Sequence, residues 1–96
     1  MYVVINRLAC PAGYADHLER AFRHAGNMQG VQGFVSFMFL RQDEGETERR
    51  HFVAITTWES SRSYEGWLKS EAFANVHAGA EASLIESTVE RYDVLA

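Results

Sequence analysis

Apolar and polar residues alternate from the start of the chain. In residues 2–9, Tyr2, Val4, Asn6 and Leu8 fall on one face of an extended segment, and Val3, Ile5, Arg7 and Ala9 on the other. The period of two predicts a strand that ends before Pro11, because proline restricts the residue before it to extended geometry. Asn6 breaks the otherwise apolar face, where a strand favours a β-branched or aromatic residue. The spacing then lengthens. In residues 11–26, Tyr14, Leu18, Ala21, Phe22 and Ala25 recur at helical intervals, and Gly26 supplies a stop.

Residues 27–33 read as a loop, and the Phe-rich run 34–40 as a second strand. The charged stretch 41–50, with Gly45, connects it as a hairpin to a third strand over 51–59. Residues 60–82 are helical in pattern, with Ser60 or Ser61 as a cap and Ser70 as a second one. A fourth strand is predicted over 87–95, with Val89 on one face and Thr88 and Tyr92 on the other. The order β-α-β-β-α-β is the α+β ferredoxin-like sandwich. Two helices cover one sheet face. The other face also carries apolar side chains, so a partner sheet and a homodimer are expected.

Composition narrows the function classes. Ninety-six residues make one domain, 1–96, and 47% hydrophobic residues suffice for a core. A chain this short is marginal as an isolated monomer, which again favours association. The net charge of −4 and nine scattered basic residues leave no nucleic-acid footprint. No segment resembles a membrane span or a basic amphipathic membrane helix. Cys10 is the lone cysteine, so an internal disulfide and cysteine-based zinc motifs are excluded. The first ten residues do not read as a signal peptide, and the cytosol is the expected compartment.

Candidate chemistry centres on few side chains. His17, His24 and His51 read as solvated or rim histidines. Phe73 and His77 are four apart and share a helical face. Trp67 and His77, ten apart, would lie about 80° around and roughly 15 Å along an unbroken helix. Both line one pocket only if the helix breaks between them, and Ser70-Glu71 is the place for that break. Singly, each residue has a plainer reading. Asn6 reads as a polar edge-strand residue, Trp67 as packing, and Trp58, Phe37 and Phe39 as core or dimer interface.

Taken together, Asn6 in "INRL", Trp67 and His77 in "WLKSEAFANVH", and "RHAG" and "GF" between them resemble the haem-degrading monooxygenases of the IsdG type. These are members of the antibiotic-biosynthesis monooxygenase superfamily. The resemblance covers nearly the whole chain and implies a dimeric α+β barrel built from ferredoxin-like units. It implies that His77 is the axial ligand of the haem iron and that Asn6 donates a hydrogen bond to iron-bound oxygen. Trp67 would distort the macrocycle. Haem would be cofactor and substrate together, consumed with O2 and electrons from an outside reductase. Phe22 and the loop after Gly26 could supply apolar wall. Arg23 could reach a propionate or equally be an exposed helix charge. Two competing readings use the same pocket: a cofactor-independent monooxygenase acting on a quinol or polyketide-like aromatic, and a non-catalytic haem-binding protein.

Overall fold

The computed structural model describes residues 1–25, 28, 30–43, 48–70 and 84–96. Strand β1 runs Tyr2–Pro11, followed by one 3-10 turn, Ala12–Tyr14, and helix α1, Ala15–Ala25. A hairpin of β2, Phe34–Arg41, and β3, Arg49–Trp58, leads to α2, Ser61–Leu68, and β4, Glu86–Asp93. The described strands form one sheet in the order β2-β3-β1-β4, every neighbouring pair antiparallel. This is the ferredoxin-like α+β arrangement.

Two boundaries differ from the sequence pattern for local reasons. Pro11 closes β1 from inside it: its φ of −59° and ψ of 145° are extended, and it lies opposite Arg49 at the strand's end. Proline fits there because little ladder remains for its missing N–H to serve. Helix α1 therefore starts after a tight turn, with Asp16 in its first turn complementing the helix dipole. In α2, the Ser60 hydroxyl accepts from the Ser63 N–H and caps the helix. The helix ends at Leu68. Lys69 leaves at φ −93° and ψ 0°, and Ser70 returns both its N–H and its hydroxyl to the Trp67 carbonyl. Residues 71–83, predicted here as a continuing helix, lie outside the described residues.

Strand register sorts the side chains. The helix-side face carries four rows: Phe34–Trp58–Tyr2–Asp93, Phe37–Thr56–Val4–Arg91, Phe39–Ala54–Asn6–Val89 and Arg41–Phe52–Leu8–Ser87. Two apolar clusters build on this face. Helix α2 brings Tyr64 onto Tyr2, Val4, Trp58 and Met28, with Val31, Phe34, Trp67 and Leu68 packed around them. Helix α1 brings Ala15 and Leu18 onto Leu8, Cys10 and Phe52, with Tyr14, Phe22, Phe39 and Ile85 at the margin. Trp58, Phe52 and Leu18 are almost fully buried, and each contributes about 1.5–3 kcal/mol relative to exposure. Trp58 is thus core, not interface.

The opposite face carries Val3, Ile5, Val53 and Ile55, half-buried, with Met38, Leu40 and Tyr92 exposed beside them. Among the described residues no helix covers it. An Arg7–Glu90 ion pair at 2.7 Å crosses the same face.

Candidate active site

The row Phe39–Ala54–Asn6–Val89 lies between the two clusters, and Asn6 and Ala54 belong to neither. Strand β1 is central, flanked by β3 and β4, so the edge-strand explanation of Asn6 fails. Its backbone is committed to the ladder, which turns the side chain toward the helix-bearing face. There its Oδ1 is buried and has no hydrogen-bond partner. Leaving a buried acceptor unpaired costs about 1–3 kcal/mol, and native folds keep few such groups. Half a turn of the amide exchanges donor and acceptor at the same point, so Asn6 can serve a ligand as either. Its neighbour Ala54 leaves room that a larger side chain on β3 would take.

One wall of this row is aromatic. Phe22 of α1 stacks on Phe39 at 4.6 Å between centroids and 5° between planes. Phe39 in turn stacks on Phe52 at 5.2 Å and 7°. Phe22 and Phe39 thus form a stacked apolar margin of the α1 cluster, next to Ala54 and Asn6 in the register. Arg23 is exposed, about 140° around the helix from the buried Leu18.

The second wall comes from α2. Trp67 is half-buried, its ring 5.6 Å from that of Trp58 and 6.2 Å from that of Tyr64. Trp58 is fixed in turn by an indole N–H donated to Thr56 Oγ1 at 2.9 Å. Four residues of β3 separate Trp58 from Ala54, about 13 Å along the strand. Asn6 and Trp67 thus stand on one side of the sheet, with the row of the buried Val4 between the Asn6 row and the Trp58 row against which Trp67 packs. His77 and Phe73 lie outside the described residues. The exposed His17 rests on Tyr14 at 4.9 Å, and His51 is exposed as well, as expected of rim histidines. Among the described residues no three His, Cys, Asp or Glu side chains gather to hold a metal ion.

Arg91 escaped the sequence reading. It follows Val89 on the alternation of β4, which places it on the helix side, and its guanidinium stands 5.5 Å over the Tyr2 ring and 5.1 Å over that of Tyr64. Its Nε donates to the Tyr2 hydroxyl, and its Nη2 pairs with Glu65 at 3.0 Å. Burial pushes the Tyr64 phenol pKa up, and the Arg91 charge offsets part of that rise. Cys10, also buried, has its thiol pKa raised by desolvation against the opposing pull of Arg49 and Arg50.

Comparison with known proteins follows the same outline. Residues 1–79 match the model of a family described as antibiotic biosynthesis monooxygenase. A heme oxygenase (mycobilin-producing) of Mycobacterium tuberculosis is 38% identical over 82 residues, spanning 84% of this chain and 74% of the relative. A heme oxygenase (staphylobilin-producing) of Staphylococcus saprophyticus is 35% identical over 80 residues, 82% of this chain and 75% of that one. In structure, the chain superposes on the heme-degrader MhuD of Mycobacterium tuberculosis, solved with two hemes bound in its active site. The TM-score is 0.75 and the identity 31%, covering 100% of this chain and 97% of that one.

Proposed function

Because this chain belongs to the antibiotic biosynthesis monooxygenase family, we propose that it is a haem-degrading monooxygenase, which opens the porphyrin ring with O2 and an external electron donor and releases iron. The observation that carries this reading is the buried, unpartnered oxygen of Asn6, set beside Ala54 between two apolar clusters. An apolar surface with a few convergent polar groups is what a flat, largely apolar macrocycle requires. Relatives at 35% and 38% identity that are heme oxygenases favour the same chemistry.

Bound haem supplies the redox chemistry, and the protein supplies orientation, polarity and exclusion of water. Asn6 presents its amide on one face of the ring, where it orients a polar ligand and holds a hydrogen bond that no Val or Ile could make. Phe22 and Phe39 keep that face dry. Trp67, backed by Trp58 and Tyr64, presses on the macrocycle from the α2 side, and distortion of the ring is a recognised lever on its reactivity. His77, in the segment after α2, would hold the haem iron through a neutral imidazole nitrogen. Arg23, exposed on α1, meets a propionate at the rim. A second copy covers the apolar face of Val3, Ile5, Val53 and Ile55, forming the dimeric barrel. A reductase supplies the electrons.

Titration of the purified protein with hemin tests the site. The expected result is a stoichiometric Soret band that is lost in His77→Ala and retained in Asn6→Ala. Absence of the band in the unaltered protein contradicts haem as the ligand and turns the reading toward a cofactor-independent oxygenase.

A further inference from the structure

The two clusters under the helices differ in chemistry as well as position. Beside α1 the stacked rings are Phe22, Phe39 and Phe52, which do not give up electrons readily. Beside α2 stand both tryptophans and two of the four tyrosines, the side chains most easily oxidised by one electron. Their rings are in sequence contact: Trp67 to Trp58 at 5.6 Å, Trp67 to Tyr64 at 6.2 Å, Trp58 to Tyr64 at 5.6 Å, and Tyr64 to Tyr2 at 6.3 Å. Phe34 also packs edge-on against Trp58 at 5.6 Å, so this cluster accepts phenylalanine as well. The Tyr2 hydroxyl and the Trp58 N–H have polar partners in Arg91 and Thr56, and the unbroken succession of Trp and Tyr rings is what remains to explain.

We propose that Trp67, Trp58, Tyr64 and Tyr2 form a one-electron relay that moves an oxidising equivalent from Trp67 to the buried Tyr64–Tyr2 pair. From there a small one-electron reductant in solution, of the ascorbate class, removes it by tunnelling across the thin cover of Tyr2, 8% exposed. Contact between successive rings keeps each tunnelling step short. In the first step the indole radical cation of Trp67, which has lost one electron and keeps its buried N–H proton, takes an electron from Tyr64. Tyr64 releases its phenolic proton to water and becomes a neutral phenoxyl, so an indole radical cation and a phenol yield an indole, a phenoxyl and a proton. This direction is downhill at neutral pH, because phenoxyl is the weaker oxidant of the two. The Tyr64 phenoxyl then takes an electron from Tyr2 and a proton from water while Tyr2 releases its own, and the reductant returns one electron and one proton.

Arg91 fits the outer end. A fixed guanidinium over both phenol rings opposes build-up of positive charge on either, so the hole rests there only as a neutral phenoxyl. Its Nε–H also holds the Tyr2 oxygen, and Glu65 holds the guanidinium in place. Trp58, with no exposed surface and its N–H given to Thr56, couples its neighbours without exchanging its proton with water. The source of the oxidising equivalent rests on the haem reading, since haem with O2 generates strong oxidants beside Trp67. The relay itself does not, and it would spare the pocket from oxidising its own walls.

Pulse radiolysis of the haem-free protein in azide solution tests the relay independently of haem. Azide radical oxidises indole selectively, and Trp67 is the tryptophan with exposed surface. The expected result is first-order decay of the indole-radical band with matching growth of phenoxyl, at a rate independent of protein concentration. That growth is lost when Tyr2→Phe and Tyr64→Phe are combined, and kept when Tyr14→Phe and Tyr92→Phe are combined. Circular dichroism confirms that each variant folds. With Tyr2→Phe alone, phenoxyl still forms but its quenching by ascorbate slows. A rate that scales with protein concentration overturns the relay. So does phenoxyl that survives the loss of Tyr2 and Tyr64, or that disappears with Tyr14 and Tyr92.

Discussion

Gly33 joins the β2 entry to the start of α2, and substituting it tests how the sheet holds the Trp67 helix. Its φ is +79°, and a Cβ there would lie 2.1 Å from Ser63 Oγ and 2.3 Å from Ser63 Cβ. Ser63 sits in the first turn of α2, its N–H bonded to the Ser60 cap, so it is not a flexible tip that swings aside. The Gly33 carbonyl meanwhile accepts from the Glu59 N–H at 2.8 Å and ties the turn to the end of β3. Gly33→Ala therefore incurs about 1–2 kcal/mol for left-handed backbone and a further 1–3 kcal/mol for overpacking, roughly 2–5 kcal/mol together. In a domain of this size the melting temperature should fall by at least about 8 °C. Urea denaturation of Gly33→Ala, Ser63→Gly and the double variant separates the two costs. Ser63→Gly clears both clashing atoms and leaves only Ser63 Cα at 3.6 Å, so the cycle should return a coupling of about 1–3 kcal/mol. A Gly33→Ala protein within about 0.5 kcal/mol of the original, or a coupling near zero, would refute the contact.

Asn6→Ala should keep haem binding by absorbance titration and abolish ring opening; undiminished degradation would refute a role on the open face of the ring. The raised thiol pKa of buried Cys10 means the native state holds a proton that the unfolded chain loses above about pH 8.5. Its contribution to stability is therefore complete below that pH and declines as the pH rises through the native value. Cys10→Ala should flatten that alkaline decline in urea titrations, whereas an unchanged slope would exclude the thiol as its origin. Ile55→Lys, at the centre of the apolar sheet face between Ile5 and Met38, should convert a dimer to monomer in light scattering. An unchanged mass would contradict the proposed association through this face.

Local patterns carried the parts of the fold that depend on near neighbours. Alternation in β1 identified the buried face, since Tyr2, Val4 and Leu8 are all covered, and it isolated Asn6 as the exception worth explaining. The end of α2 was legible from Ser70, whose side chain and backbone both return to the Trp67 carbonyl. Features that depend on register were not legible. That Ala54 lies beside Phe39 follows from the alignment of the β2–β3 hairpin, and that Asn6 lies beside Ala54 from the β1–β3 pairing across more than forty residues. The division into two clusters follows from the same pairings. Gly33 looked like an ordinary loop glycine because Ser63, the reason for it, is thirty residues away. Arg91 carries no motif of its own, although its position two after Val89 marks it for the helix-side face. Phe39 is core, as its place in an apolar strand predicts, since it stacks between Phe22 and the buried Phe52.

The most direct measurement is the product formed when the hemin-loaded protein receives ascorbate or a reductase in air. Loss of the Soret band, new bilin-like absorbance, an opened tetrapyrrole by mass spectrometry and chelatable iron are the predicted result. A Soret band that persists through reduction, with intact haem recovered, would contradict the assignment and leave a haem-binding protein without turnover.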